Sequence, residues 1–355
     1  MTVLGKFAKG GLVIAGTGLA CAGTLALGAS VLRMRSDCLR GKIVLITGGS
    51  RGLGLALAEE FGLQGAKLAL TARNAEELNR ARALLVERGA AQNEQEIFVI
   101  SGDLREEEDA QKVIHAVTNH FGRIDILVNN AGIITVGPVE NQSADDFRNV
   151  MAANFFSMVY CTLAVLPQML HRRAGAIVNI ASFGGKVAVP HLLPYTASKF
   201  AAVGFSEGIN TELRARGIRV TTVCPGLMRT GSHLNALFSG DAEREYRWFS
   251  LGASLPGVST SSKSAARQIL RAVIAGRNEI AITPQAEFVS RVANLSPSIT
   301  SRIMQLVNFA LPAAVQGQTQ PRPGFEARGL EATPILRLGH AASLRYNQIR
   351  TSAQE

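Results

Sequence analysis

Short apolar runs alternate along the chain with stretches in which apolar residues recur every three to four positions. The first run, residues 43–46, has the uninterrupted β-branched character of a strand buried on both faces, and six further short runs follow at residues 68–71, 97–100, 124–128, 176–180, 220–223 and 279–282. Helical stretches lie between them, notably at residues 75–88, 106–121, 144–171 and 195–216. The alternation predicts an α/β fold, a doubly wound parallel sheet of about seven strands with helices on both faces and ligands at the carboxyl ends of the strands.

An uncharged segment precedes this region. Residues 10–32 carry no charged side chain and lie between basic residues, Lys6 and Lys9 on one side and Arg33, Arg35 and Arg40 on the other. As a helix, about 23 residues reach roughly 34 Å, enough for a hydrocarbon core of about 30 Å. Residues 1–41 are therefore predicted to be an apolar leader or membrane anchor, and the heavier basic flank after it favours a cytoplasmic location for the rest of the chain. A cleaved or disordered leader is the alternative.

The regular alternation ends in the last third of the chain. Residues 227–262 carry aromatic side chains among polar and small ones, which is typical of a lid insertion. Residues 286–315 are predicted to be an amphipathic helical extension, with one apolar stripe formed by Ile299, Ile303, Leu306, Val307 and Ala310. That helix packs on the body or on a second subunit, or alternatively serves as a membrane-surface or lid helix. Residues 316–355 are rich in Gly, Pro and Arg and are predicted to be a loose tail.

Composition narrows the classes of partner. The 355 residues are 47% hydrophobic, enough for a large core, and the net charge is +10. No basic stripe interleaved with aromatic residues accompanies this charge, so no nucleic-acid partner is predicted, and an anionic cofactor or anionic lipid accounts for it better. Cys21, Cys38, Cys161 and Cys224 have no paired spacing and the six histidines are scattered, so neither disulfides nor a metal site is expected.

A glycine-rich turn follows the first strand. Residues 47–54 read Thr-Gly-Gly-Ser-Arg-Gly-Leu-Gly, and the apolar spacing after them is helical. Free backbone N–H groups at the start of a helix bind a pyrophosphate, although a glycine cluster alone also suits an ordinary turn. The spacing Gly-x-x-x-Gly-x-Gly resembles that of the short-chain dehydrogenases/reductases. The resemblance implies one Rossmann-type domain over residues 42–285, and a homodimer or homotetramer.

The second motif of that family is a tyrosine followed four residues later by a lysine. Tyr195 and Lys199 lie on one face of a predicted helix, and a neighbouring cation lowers a phenol pKa from its usual value of about 10. Ser182 stands thirteen residues before Tyr195. By resemblance, Ser182 hydrogen-bonds the substrate oxygen, Tyr195 transfers a proton, Lys199 also holds the nicotinamide ribose, and Asn154 positions a water. A helix kink or a helix-packing role is the alternative for Asn154.

The cofactor choice follows from basic residues at the start of the domain. Arg73 follows the second strand where an acidic partner of a ribose hydroxyl would stand, and Arg51 lies inside the glycine turn, so NADP is predicted over NAD. The resemblance implies further cofactor contacts along the motifs: Thr47, Gly48, Ser50, Gly52, Leu53, Gly54, Asp103, Leu104, Asn130, Ala131, Gly132, Pro225, Gly226 and Thr230.

Together the motifs predict an NADPH-dependent oxidoreductase that moves a hydride between the nicotinamide and a carbonyl or secondary alcohol. The aromatic insertion and the apolar leader suggest a lipophilic small-molecule substrate. The alternative is a non-catalytic NADP(H)-binding sensor or scaffold, against which the intact Ser–Tyr–Lys–Asn set argues. Sugar-nucleotide epimerisation would require a second substrate domain that this chain is too short to show clearly. Membrane association is predicted through residues 10–32.

Overall fold

The computed structural model describes residues 39–255, 259–327 and 341–349. Residues 1–38, which include the predicted anchor segment 10–32, lie outside the described residues. The remaining gaps fall at residues 256–258 of the predicted lid and in part of the predicted tail.

The core of the described structure is one parallel sheet of seven strands. These are β1 (Ile43–Thr47), β2 (Lys67–Ala72), β3 (Ile97–Ser101), β4 (Ile126–Asn129), β5 (Gly175–Ile180), β6 (Ile218–Cys224) and β7 (Glu279–Ala281). Their order across the sheet is β3-β2-β1-β4-β5-β6-β7, and each neighbouring pair is parallel. The predicted doubly wound α/β sheet is confirmed.

Two layers of helices cover the sheet. On one face lie α1 (Gly52–Gly62), α2 (Ala75–Glu87) and α8 (Ser262–Ala275), and on the other lie α3 (Glu107–Phe121), α5 (Ser157–Arg172) and α6 (Leu193–Leu213). Successive side chains of a strand point to opposite faces. Val44 and Ile46 of β1 therefore pack with the first layer, and Ile43 and Leu45 pack with the second.

The strand order reverses beside β1, and the crevice at that point is held by a threonine. Thr47 Oγ1 accepts hydrogen bonds from the backbone N–H groups of Asn130 and Ala131, at 2.9 and 3.0 Å. It donates to the carbonyl of Val128 at 3.3 Å. The ends of β1 and β4 are thereby joined where open α/β sheets bind their ligands.

A long helical run crosses the second face. It consists of α4 (Ala144–Met151), a π-helical turn (Ala152–Phe156) and α5. Among the described residues, Ala144–Arg172 is the one run that satisfies the length and hydropathy of a membrane span, a test that core helices also pass. Cys161, Val165 and Met169 of α5 are fully buried against the sheet, which is the position of a core helix.

The segment predicted as a lid contains its own small core. It includes α7 (Ala242–Ser254) and a short strand, Leu237–Phe238, that pairs with Thr135–Val136 and with Arg322–Pro323. Phe238, Tyr246 and Phe249 are buried together there. The lid aromatics thus pack on one another and on Val136, Leu192 and Ala327 from outside the lid.

The helical extension has two helices, α9 (Pro284–Leu295) and α10 (Pro297–Asn308). Several of their large apolar side chains are exposed, from 41% for Val307 to 86% for Leu295, and Phe309, directly after α10, is also 86% exposed. The described parts of the body therefore do not cover the predicted stripe. Part of the segment predicted to be a loose tail packs on the body: residues 341–349 lie against α1, with Tyr346 only 4% exposed.

Candidate active site

A cavity of about 1120 Å³ opens at the carboxyl ends of the strands. Most of the residues predicted for the site line it: Gly48, Ser50, Arg51, Gly52, Leu53, Arg73, Asp103, Leu104, Asn130, Ala131, Gly132, Ser182, Tyr195, Lys199, Pro225, Gly226 and Thr230. Thr47, Gly54 and Asn154 stand behind the wall instead. Motifs that are separated by up to 180 positions in the sequence therefore meet at one cavity.

The glycine-rich turn brings backbone close to backbone. Gly48 and Gly52 have φ values of 62° and 58°, in the left-handed region. A Cβ added to Gly54 would lie 2.1 Å from the carbonyl oxygen of Gly48, so a side chain does not fit there. Within the described parts of the chain, the backbone N–H of Leu53 has no acceptor. This arrangement leaves a donor at the positive end of α1, facing the cavity.

Two arginines stand at the end of the cavity beside β2. Arg51 Nη1 donates to Asn235 Oδ1 at 3.0 Å and lies 3.5 Å from Glu77 Oε1. Burial lowers the pKa of Arg51, Glu77 raises it and the nearby positive charge of Arg73 lowers it. An anionic group at this end of the cavity would meet two guanidinium groups.

Glu77 and Asn235 were not predicted for the site. Glu77 Oε2 accepts from Ser50 Oγ at 3.3 Å, so the carboxylate holds the turn as well as Arg51. In the sequence, Glu77 is simply an acidic residue in the first turn of a helix, where it suits the dipole. Asn235 comes from the lid, more than 180 positions from Arg51, and nothing in its local sequence marks the contact.

The predicted adenine residue Asp103 is paired with a neighbour. Arg105 Nε donates to both carboxylate oxygens of Asp103 at 3.0 Å. The side-chain hydrogen bond from Arg105 lowers the pKa of Asp103, so the carboxylate is ionised at neutral pH. Arg105 Nη1 also reaches Asn149 Oδ1 of α4 at 2.8 Å. Arg105 is a further wall residue that sequence reasoning missed.

Ser182, Tyr195 and Lys199 meet at the opposite end of the cavity. Ser182 follows β5, its Oγ accepts from the N–H of Gly184 at 3.0 Å, and its side chain is hydrogen-bonded to the Tyr195 phenol. Lys199 Nζ lies 5.6 Å from the centroid of the Tyr195 ring. It donates to the carbonyl of Ile180 at 2.9 Å. A hydroxyl, a phenol and an amine therefore line the same end of the cavity, close to one another.

Burial sets the pKa values of this pair. It raises the pKa of Tyr195, against the opposing effect of the Ser182 hydrogen bond. It lowers the pKa of Lys199 to about 8. The shift of Tyr195 is opposite to the predicted one, because desolvation of the phenolate is the largest effect and outweighs the Ser182 hydrogen bond, while the Lys199 ammonium donates to the Ile180 carbonyl.

Asn154 lies in the π-helical turn between α4 and α5 and is fully buried. Its Nδ2 donates to the Ile133 carbonyl at 3.0 Å and to Ser198 Oγ at 2.9 Å. Its Oδ1 accepts from the N–H of Ile133 at 2.7 Å. The side chain thus fastens the loop after β4 to α6, one residue before Lys199. The π-helical turn is a helix irregularity of the kind considered as the alternative role of Asn154. The role of Asn154 in positioning a water remains a prediction.

The cavity suits an elongated dinucleotide. One end offers two guanidinium groups, the middle offers the N–H of Leu53, and the far end offers Tyr195 and Lys199. Small residues in the wall, Ala131 and Gly132, leave room between these ends. The charges and the shape are those that a nicotinamide dinucleotide requires.

Comparisons with known proteins agree with this geometry. Residues 42–237 match the family model described as short chain dehydrogenase. The chain is 36% identical over 268 residues to "Dehydrogenase/reductase SDR family protein 7-like" of Anopheles gambiae, covering 75% of this chain and 83% of the relative. It is 32% identical over 289 residues to "Dehydrogenase/reductase SDR family member 7B" of Mus musculus, covering 80% and 87%.

Solved structures show the same fold. A short-chain dehydrogenase from Streptomyces avermitilis has a TM-score of 0.63 and 31% identity, over 76% of this chain and 97% of that one. A short-chain dehydrogenase/reductase from Burkholderia phymatum, solved in complex with NAD, has a TM-score of 0.65 and 26% identity, over 74% and 95%. With the sheet, the cavity and these matches together, the chain belongs to the short-chain dehydrogenase/reductase family, whose members use a nicotinamide cofactor.

Proposed function

We propose that this protein is an NADPH-dependent oxidoreductase acting on a carbonyl group or, in reverse, a secondary alcohol. The observation that carries the proposal is the convergence of Ser182, Tyr195 and Lys199 at one end of the cavity. An acid–base relay has a use in turnover and none in simple binding, which favours an enzyme over a sensor or scaffold.

Each side chain has a distinct task in this mechanism. A bound nicotinamide cofactor supplies or accepts the hydride. Ser182 and Tyr195 donate hydrogen bonds to the substrate oxygen, and these strengthen as negative charge develops on it. The raised pKa of Tyr195 keeps its phenol protonated at neutral pH. Tyr195 then transfers this proton to the substrate oxygen. Lys199 supplies a positive charge to that end of the cavity below about pH 8.

The preference for NADP(H) rests on Arg51 and Arg73. Both line the cavity where the chain leaves β2, and the residues that close this strand, Ala72, Arg73 and Asn74, include no carboxylate. Glu77 is hydrogen-bonded to Ser50 and lies 3.5 Å from Arg51, so its charge is set against that of Arg51, and Arg73 adds a second guanidinium group at this corner. A 2′-phosphate could therefore form charge-assisted contacts with both Arg51 and Arg73, while the contact between Arg51 and Glu77 would weaken.

A lipophilic substrate agrees with the apolar wall beyond the catalytic residues. Ile134, Met228 and Leu237 line this part of the cavity. The buried lid aromatics Phe238, Tyr246 and Phe249 support this wall from behind and do not line it. Apolar side chains around a few convergent polar groups are the usual composition of a small-molecule site.

The proposed location is a membrane, with the catalytic body in the cytoplasm. Its support is the uncharged segment 10–32 and the basic residues that follow it. The exposed apolar side chains of α9 and α10 offer a second surface for lipid contact.

The test is the oxidation of NADPH by purified protein in the presence of a panel of water-soluble and lipophilic ketones and aldehydes. Turnover with one class of carbonyl supports the proposal and defines the substrate. Tight binding of NADPH without turnover on any member of the panel, in either direction, would favour the sensor or scaffold instead.

A further inference from the structure

A short C-terminal segment returns to the dinucleotide turn. Tyr346 is buried in the core beside α1, and its carbonyl accepts a hydrogen bond from the N–H of Gly52 at 2.9 Å. Ser343 packs against the lid, where a Cβ added to Gly231 would lie 2.2 Å from its Oγ. The segment therefore occupies a fixed place between the first helix and the lid.

Asn347 attaches this C-terminal segment to Ser50 and Glu77, at the end of the cavity that Arg51 and Arg73 line. Its Nδ2 donates to the carbonyls of Ser50 and Glu77, at 2.9 and 3.1 Å. Its Oδ1 accepts from Arg80 Nε at 3.3 Å. The backbone here has a φ of 55°, a conformation that asparagine tolerates better than most residues. These contacts place the next residue, Gln348, in the cavity wall.

The side-chain amide of Gln348 is oriented to donate a hydrogen bond to a ligand in the cavity. Its Oε1 accepts from Asn235 Nδ2 at 2.6 Å, and Asn235 Oδ1 in turn accepts from Arg51. The oxygen is thus committed, which orients the amide and leaves Nε2 free to donate. Nε2 makes no hydrogen bond within the described part of the chain and lies 2.8 Å from where a Cβ of Gly52 would stand. It shares the start of α1 with the unpaired N–H of Leu53.

We propose that Gln348 is a cofactor-binding residue, whose side-chain amide donates a hydrogen bond to the pyrophosphate of the nicotinamide dinucleotide. The carbonyl of Tyr346 accepts the hydrogen bond of the Gly52 N–H at the start of α1, so this N–H is not available to a ligand. The amide of Gln348 provides another hydrogen-bond donor at the same position. Residues 343–348 then hold the Gln348 side chain in position. The inference needs only a dinucleotide cofactor and does not depend on the choice of NADP or on the substrate.

The experiment measures equilibrium binding of NADPH, NADH and adenosine 2′-monophosphate to the full chain by fluorescence or calorimetry. Gln348→Ala should weaken NADPH and NADH by the same factor, about tenfold, because both carry the pyrophosphate. Gln348→Glu should weaken both further, by about a hundredfold, since a carboxylate would face a diphosphate. Adenosine 2′-monophosphate lacks the pyrophosphate, so its binding should not change.

The matched control is Gln305→Glu, the same substitution at an exposed position of α10, which should bind both dinucleotides as the wild type does. Unchanged melting temperatures without cofactor would show that the variants are folded. The proposal is overturned if Gln348→Ala binds both dinucleotides normally. It is also overturned if Gln348→Ala binds both dinucleotides more tightly, because the side chain would then obstruct the cofactor. A third contrary result is weaker binding of NADPH alone, which would mean that Gln348 acts on the 2′-phosphate through Asn235 and Arg51.

Discussion

His191 Nδ1 and Glu245 Oε1 lie 2.8 Å apart in the interior, with the Glu245 side chain fully buried. The contact joins the lid helix α7 to the loop that leads into α6 and hence to Tyr195. Glu245 Oε2 also accepts from Trp248 Nε1 at 2.6 Å, so one carboxylate satisfies two rings. The lid is thereby attached to the element that carries Tyr195.

Removing that carboxylate should destabilise the protein. Glu245→Ala leaves the rings of the buried His191 and the half-buried Trp248 without this carboxylate, and we expect a loss of about 2–4 kcal/mol in the free energy of unfolding. Chemical denaturation would measure it. Glu243→Ala is the control, because Glu243 lies on the same helix but is exposed and should cost no more than about 0.5 kcal/mol. Equal stability of the two variants would show that the buried contact contributes nothing.

The sequence was sufficient for the parts of the fold that depend on local patterns. The seven strands and the main helices follow from apolar periodicity, and the cavity residues follow from motifs placed at strand ends. Glu77, Asn235 and Gln348 could not be predicted in this way, because each acts through a partner set by tertiary packing. Arg105 pairs with Asp103 only two positions away, but its contact with Asn149 is tertiary. The predicted pKa direction of Tyr195 was wrong for a similar reason: spacing indicates that Lys199 is near, but the largest effect on the phenol is its desolvation, which the spacing does not report.

The cofactor preference should depend on Arg51 and Arg73. Replacing both with alanine should weaken NADPH binding by about 2–4 kcal/mol, allowing for incomplete additivity, and leave NADH binding nearly unchanged. Equilibrium titrations of both cofactors would test this. A wild-type protein that binds NADH as tightly as NADPH would contradict the assignment.

Glu77 gives the same hypothesis an opposite test. Glu77→Gln removes the carboxylate that lies 3.5 Å from Arg51, so the guanidinium becomes more available to a phosphate. We expect NADPH to bind more tightly to this variant, with little change for NADH. Glu87→Gln, at an exposed position of the same helix, is the control. Weaker NADPH binding would mean that Glu77 chiefly holds Arg51 in its binding position.

Membrane association should depend on the first residues of the chain. Deleting residues 1–36 should release a soluble protein that retains activity on a water-soluble carbonyl, whereas the full chain should resist carbonate extraction from membranes. Full-length protein in the supernatant after that extraction would exclude the anchor. If the deleted form stays on the membrane, replacing the exposed Leu306 and Phe309 with serine should release it.

The pH dependence of the reaction follows from the pKa values of Lys199 and Tyr195. The pKa of Lys199 is lowered to about 8, so its positive charge is present below that pH and lost above it. The raised pKa of Tyr195 keeps the phenol protonated over the same range. The rate of carbonyl reduction should therefore fall as the pH rises through about 8, and alcohol oxidation should increase only at higher pH. A reduction rate that stays flat to pH 10 would contradict a role for the Lys199 charge.

Stability offers a second measure of the same shift. The folded state binds the Lys199 proton less tightly than the unfolded chain, whose ordinary pKa is 10.5. The contribution of this group to the free energy of unfolding should therefore increase as the pH rises from about 8 to 10.5. Lys199→Met removes the titration, so the difference in stability between wild type and variant should change over that interval. A difference that is constant with pH would show that the pKa is not lowered.

The proton donor itself is tested by Tyr195→Phe, which keeps the ring and removes the hydroxyl that is hydrogen-bonded to Ser182. General acid catalysis is typically worth about 10² to 10⁴ in rate, so kcat for reduction should fall by that factor. NADPH binding should persist, because the ring and Lys199 remain. Tyr160→Phe is the matched control, since it removes a hydroxyl from a half-buried tyrosine on α5 outside the cavity wall and should leave kcat unchanged. A Tyr195→Phe protein that reduces its substrate at the wild-type rate would refute the mechanism while leaving the fold and the family intact.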